Sequence, residues 1–212
     1  MTDIRQKVEP FLDSQAADRV GRYFHGAFTG RRFERLGGGG DREETANEFV
    51  AEDIFAVNLL GVTIDPAAVL QILEGPTHEK LCGLLASPNF PNHEDLWKVD
   101  ESDVDGDSPA NQLWDQLNKI HGIAQVIAGK LLARKRPRLI PIYDAHVDRA
   151  IGANGDWWLS LRHTLKQHPD LVARLEEIRA QSGIDEDISL IRVLDVSIWM
   201  ADGVAPVAPT RG

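Results

Sequence analysis

The chain has 212 residues, 42% hydrophobic and 26% charged, with 23 Lys and Arg against 33 Asp and Glu. That apolar content supports a sizeable buried core and excludes a largely disordered chain. The net charge of −10 argues against a general nucleic-acid coat, since phosphate binding needs a positive face, but it leaves room for a local basic patch. A single cysteine, Cys82, excludes an internal disulfide, a cysteine-built zinc site and an iron–sulfur cluster. It reads as a small buried side chain in a reducing compartment. No apolar run reaches the ~18 residues that a membrane helix needs, and Met1-Thr2-Asp3-Ile4-Arg5 has no signal-peptide core, so a cytoplasmic protein is expected.

Helical spacing dominates the chain. Ile4, Val8, Phe11 and Leu12 begin an apolar stripe that Ala16, Val20 and Phe24 continue. Near Phe28 and Phe33 a short extended pair is predicted. The run Gly37-Gly38-Gly39-Gly40 lacks the Lys-Ser or Lys-Thr that follows a phosphate-cradling loop and reads as a flexible linker; a site around this run and Asp41, in an unrelated helical enzyme, is the outlying alternative. Thr45 or Asn47 is expected to cap a helix bearing Phe49, Ile54, Val57 and Leu60. Asp65 then caps a third helix, with Pro66 at its first position and Val69, Leu70, Ile72 and Leu73 following. Gly75-Pro76 separates it from a helix with Leu81, Leu84 and Leu85.

The stretch 93–107 holds seven acids against Lys98. Its Glu101-Ser102-Asp103-Val104-Asp105-Gly106-Asp107 half-matches a calcium loop, but Gln112 at the twelfth position offers no bidentate carboxylate, so a solvated acidic loop is expected. Further helices are predicted over 111–118, 123–133, 144–151, 156–166, 169–181 and 187–201, with a frayed tail over 204–212. Trp114 and Trp199 sit at core spacing, and the Trp157-Trp158 pair cannot place both rings on one helix face. The fold is mainly α.

Residues 120–146 carry the most specific pattern. Gly122-Ile123-Ala124 sits where two predicted helices meet, Pro137 and Pro141 mark a loop, and Asp144-Ala145-His146 opens the next helix. This stretch resembles the helix-hairpin-helix motif of the DNA glycosylase superfamily that includes endonuclease III. The core from Ala128 to Asp144 (AGKLLARKRPRLIPIYD) is also similar to that of an uncharacterised bacterial family with no established activity. The resemblance implies one helical domain over 1–212 with two lobes. Residues 44–150 form the central lobe around the hairpin, and 1–36 packs with 151–203 as the second.

The resemblance implies a DNA-glycosylase-like protein that hydrolyses the N-glycosidic bond of a modified base. Asp144 takes the catalytic place, where a carboxylate stabilises an oxocarbenium-like state and orients water. An Asp at a helix start is also an N-cap on backbone grounds alone, and both readings stand. His146 is structural by resemblance. The position of the family's nucleophilic Lys is held by Val126, which implies cleavage without strand scission. Ala124 stands where the hairpin has its second glycine, and His121 where it has a proline.

Phosphate contact falls to Gly122 and Ala124 of the hairpin and to Lys130, Arg134, Lys135, Arg136 and Arg138. From 120 to 150 six cations face two carboxylates, a net +4 against −14 for the rest of the chain. Cations at the end of a helix also answer its dipole, which is the alternative account. DNA is thus the expected partner and no metal site is expected; no cofactor is expected either, with a monovalent ion at the hairpin left open. The competing expectation is a non-catalytic helical module that keeps the same core to bind nucleic acid or protein.

Overall fold

The computed structural model describes residues 2–152 and 157–201. Among them there is no strand, and the chain folds as a mainly α protein. The helices are α1 (Arg5–Val8), α2 (Ala16–His25), α3 (Ala51–Asn58), α4 (Pro66–Leu73), α5 (Gly75–Leu85), α6 (Pro109–Asn118), α7 (Gln125–Lys135), α8 (Ala145–Ile151), α9 (Trp157–Gln167), α10 (Pro169–Gln181) and α11 (Leu190–Ala201).

Local chemistry accounts for most boundaries. Asp65 accepts from the Ala67 amide at 2.8 Å and Pro66 takes the first helical position, so α4 begins where expected. Ser108 caps α6 in the same way, three residues ahead of the predicted start. At α3 the cap is neither Thr45 nor Asn47. The chain enters through extended Val50, and Asp53 reaches back to accept from the Val50 amide at 3.0 Å. The expected extended pair near Phe28 and Phe33 is instead a 3-10 turn over Thr29–Arg32. Asp156, expected to open α9, and the tail 204–212 lie outside the described residues.

Helices α3 to α7 pack in one group, with α7 against α3 and α6, and α5 against α4 and α6. A second group places α11 against α2, α8 and α10, with α1 on α8 and α9 on α10. Every residue of α7 from Ala128 to Lys135 is buried, so this helix is surrounded rather than amphipathic. The Trp157 ring is buried while Trp158 is half-buried and meets Trp114 edge-on with ring centroids 5.4 Å apart, so the two rings do not share one environment. Among the described residues no helix is long and apolar enough to cross a membrane.

Candidate functional site

The hairpin forms between α6 and α7. Gly122 adopts φ +89°, a conformation that costs a residue with a Cβ, and Ala124 is the extended N-cap of α7. His121, Gly122, Ala124 and Gln125 are exposed. The hairpin rests on the start of α4, where a Cβ on Gly122 would stand 3.3 Å from the Asp65 Cβ. A carboxylate therefore flanks the amides that a phosphate would need.

The basic segment lies elsewhere than on the surface. Lys130, Arg134, Lys135 and Arg136 are all buried, Lys135 completely, so the expected phosphate-contacting patch does not form from them. The physical reason is that their donors are consumed internally. Arg134 Nε donates to Asp53 Oδ1 at 2.9 Å, and its remaining nitrogens donate to the carbonyls of Phe33, Glu34 and Leu36. Lys135 Nζ meets Asp53 Oδ2 at 2.5 Å and donates to the Gly40 and Thr45 carbonyls at 3.0 Å each.

Among the described residues no carboxylate pairs with Arg136. It donates to the carbonyls of Leu85 (2.6 Å), Ala46 (2.8 Å), Lys135 (2.9 Å) and Phe90 (3.1 Å), and to Asn47 Oδ1 at 2.9 Å. Burial pulls its pKa down to about 10, with Asp41 the opposing charge. Only Arg138 is partly exposed, and it pairs with Asp95 at 3.1 Å.

This arrangement explains the glycine run, which is structural rather than a linker. Gly40 lies against Arg134, where a Cβ would stand 2.3 Å from the Arg134 carbonyl oxygen, and its own carbonyl receives Lys135. The acidic stretch is likewise ordered in part: Asp95 binds Lys98 and Arg138, and Asp103 accepts from the Asp100 amide. Cys82 is half-buried rather than fully buried, with Sγ 3.4 Å from His78 Nε2; burial pushes its thiol pKa up.

Asp144 opens α8. Its Oδ1 accepts from the His146 amide at 2.9 Å and the Val147 amide at 3.0 Å, while Oδ2 has no hydrogen-bond partner among the described residues. His146 stands beside the Trp199 ring, with centroids 5.9 Å apart. Tyr143 donates to Asp148; burial, then that carboxylate, pushes the phenol to about 12.

Within electrostatic reach of Asp144 lies a buried ionic cluster that the sequence pattern does not announce. Lys130 Nζ donates to the Leu60 carbonyl at 3.0 Å; burial lowers its pKa while Asp144 and Asp195 oppose the shift. Arg192 binds Glu34 Oε1 through Nε at 2.5 Å, pairs with Asp195, and donates to the Tyr23 hydroxyl at 2.8 Å. Burial works against the Arg192 charge, but Glu34, Tyr23 and Asp195 outweigh it and hold its pKa well above the ordinary value. Burial pushes Asp195 up to about 7 against the pull of Arg192, and Asp144 adds to the rise. Chemically, the cluster sets a carboxylate with a raised pKa against Arg192, within electrostatic reach of a lysine whose charge burial disfavours. Among the described residues no group of three or more His, Cys, Asp or Glu is placed to hold a metal ion.

These features define a class: an all-helical protein with a hairpin-linked helix pair and an ionic interior. The chain belongs to a family of unknown function, DUF6308, whose model matches residues 16–202. No curated protein and no solved structure matches it.

Proposed function

We propose that the chain is a non-catalytic helical module that engages a protein partner and uses its glycosylase-like core as scaffold. The observation that carries this reading is the burial of Arg134, Lys135 and Arg136, whose donors hold the loops 33–47 and 85–92 rather than facing outward. Among the described residues seven Lys and Arg are buried against two Asp, a net +5, so all other residues of the chain carry −15 against its total of −10. Such an exterior repels a polyanion and favours a cationic partner surface. Asp65 beside the hairpin acts in the same sense.

The second reading is hydrolysis of an N-glycosidic bond without strand scission. One observation favours it: Asp144 Oδ2 has no partner among the described residues, and Asp144 is electrostatically coupled to Lys130 and Asp195. One experiment separates the two. Purified protein is incubated with duplexes carrying a panel of modified bases, and labelled single and double strands are titrated at low salt. The module reading expects no abasic sites and no saturable oligonucleotide binding. Abasic sites that vanish in Asp144→Asn establish the hydrolase instead.

A further inference from the structure

We propose that the outward face of α3 around Phe55 docks a Lys- and Arg-rich amphipathic segment of a partner protein. The proposal rests on the reading of the chain as a module for a cationic partner, and it names the surface that such a partner covers. Among the described residues Phe55 and Leu70 are the large apolar side chains left mostly exposed, Phe55 at 64%. Both fall within residues 43–79, which contain eight Asp and Glu and no Lys or Arg. Of those carboxylates Asp53 is buried; the other seven are exposed, and among the described residues none of the seven forms an ion pair. Elsewhere exposed acids are answered in place, Asp170 by Arg5, Asp185 and Asp187 by Arg35, Asp95 by Lys98 and Arg138.

Helix α3 sorts its residues sharply. Ile54, Ala56 and Val57 are buried, Asp53 holds Arg134 and Lys135, and the helix packs against α7. Ala51, Glu52 and Phe55 are exposed, and Leu59 at the C-cap is half-buried. Spacings of three and four put Glu52, Phe55 and Leu59 on one face, with the Phe55 ring one turn from a carboxylate. Glu48 is exposed two residues before the extended Val50 that opens the helix. Arg42, just ahead of the acidic stretch, is engaged by the carbonyls of Gly37 and Gly39. The exposed Arg31 and Arg32 belong to the turn at the other end of α3, where Thr29 Oγ1 donates to the Leu59 carbonyl at 2.8 Å. The carboxylates are therefore concentrated at the N-terminal end of the face.

Charge complementarity selects the occupant. A second copy of the chain, seated face to face, would set the same unpaired carboxylates against one another, and a nucleic acid or an anionic membrane is repelled in the same way. A segment with Lys or Arg beside apolar side chains answers both features of the face. Its cations meet Glu48 and Glu52, its apolar groups cover the Phe55 ring, and a cation over that ring adds to the attraction.

The test titrates the full chain, by fluorescence anisotropy at low and at physiological salt, with a short labelled amphipathic peptide of Leu and Lys. A counterpart peptide carries Glu in place of every Lys. Saturable binding of the Lys peptide that weakens with salt is expected, and none of the Glu peptide. Phe55→Ser should weaken binding about tenfold or more, the effect of truncating an interface anchor. Glu48→Gln with Glu52→Gln should weaken it about threefold or more at low salt. Glu176→Gln with Glu177→Gln removes the same charge from exposed positions of α10 and should leave binding unchanged. All five positions are exposed, so the variants keep the fold, which circular dichroism checks. The docking face is overturned if the parent does not bind the Lys peptide, if the Glu peptide binds as well, or if either α3 variant binds as tightly as the parent. It is equally overturned if the α10 pair weakens binding as much as the α3 pair, or if sedimentation shows a dimer that Phe55→Ser dissociates. Each of these results leaves the module reading standing, because abasic sites or saturable oligonucleotide binding are what would remove it.

Discussion

Replacing Asp53 by Asn should be among the most destabilising single-atom changes available in this protein. The side chain is wholly buried and accepts from Arg134 Nε at 2.9 Å, Lys135 Nζ at 2.5 Å and the Val50 amide at 3.0 Å. Asparagine keeps the shape and one acceptor but removes the counter-charge, so two cations lie inside with backbone carbonyls as their only nearby neutralisation. Breaking a buried pair by removing one partner costs about 3–5 kcal/mol, far more than the pair contributes over an apolar replacement. For a chain of this length each kcal/mol moves Tm by roughly 2–4 °C, so a fall of about 6–20 °C is expected. Urea unfolding followed by circular dichroism measures the loss as a lower midpoint at unchanged slope. The companion Lys135→Met leaves Asp53 paired with Arg134 and should cost less. A loss below about 1 kcal/mol in Asp53→Asn refutes the view that this carboxylate neutralises the core.

Asp144→Ala should lower stability by about 1 kcal/mol, the worth of a lost N-cap, measured in the same urea assay; no measurable loss would contradict the capping geometry. Asp195 gives a pH signature. Its pKa is about 7 folded and near the ordinary 3.8 unfolded, so the folded state binds the extra proton between these values. Stability contributed by that proton is present at acid pH and falls as pH rises from about 4 to 7. Asp195→Asn should remove this component, and an unchanged difference between midpoints at pH 5 and pH 7.5 would count against it. Two glycines should respond oppositely to alanine. Gly40→Ala forces a Cβ to 2.3 Å from the Arg134 carbonyl oxygen and should cost several kcal/mol or prevent folding. Gly83→Ala, inside α5 with open space around it, should gain about 0.5–1 kcal/mol. Melting temperatures of the pair decide the point.

Helices were legible in the sequence wherever an apolar stripe met a local cap, as at Asp65-Pro66 and at Asp144. These signals lie within one turn of the residues they organise. The interior ions were not legible, because charge counting along the chain treats each Lys and Arg as facing water. The partners that make burial tolerable for Arg134 and Arg136 are carbonyls of Phe33, Glu34, Leu36, Ala46, Leu85 and Phe90, far away in the chain. One signal was available. Arg134, Lys135 and Arg136 are consecutive, so they point in different directions around the end of a helix whose preceding residues are apolar, and they cannot share one solvated face. Asp53 carried a matching hint, lying beside Ile54 and one turn from Val57 on the apolar side of α3. The Glu34–Arg192–Asp195 cluster offered only the Arg192, Asp195 spacing of three within a helix whose other residues, Ser197 apart, are apolar.

The tie between the end of α7 and the early loops also sets an order of events in folding. The carbonyls of Phe33, Glu34, Leu36, Gly40, Thr45 and Ala46 take side-chain donors from residues 134–136, some 90 to 101 positions later. Closing so long a loop costs chain entropy before any contact returns it, which slows folding. During synthesis, helices α2 and α3 emerge well before the side chains that anchor the loop between them. Those carbonyls therefore gain their long-range donors only once α7 has left the ribosome, and α11 must follow before Glu34 gains Arg192.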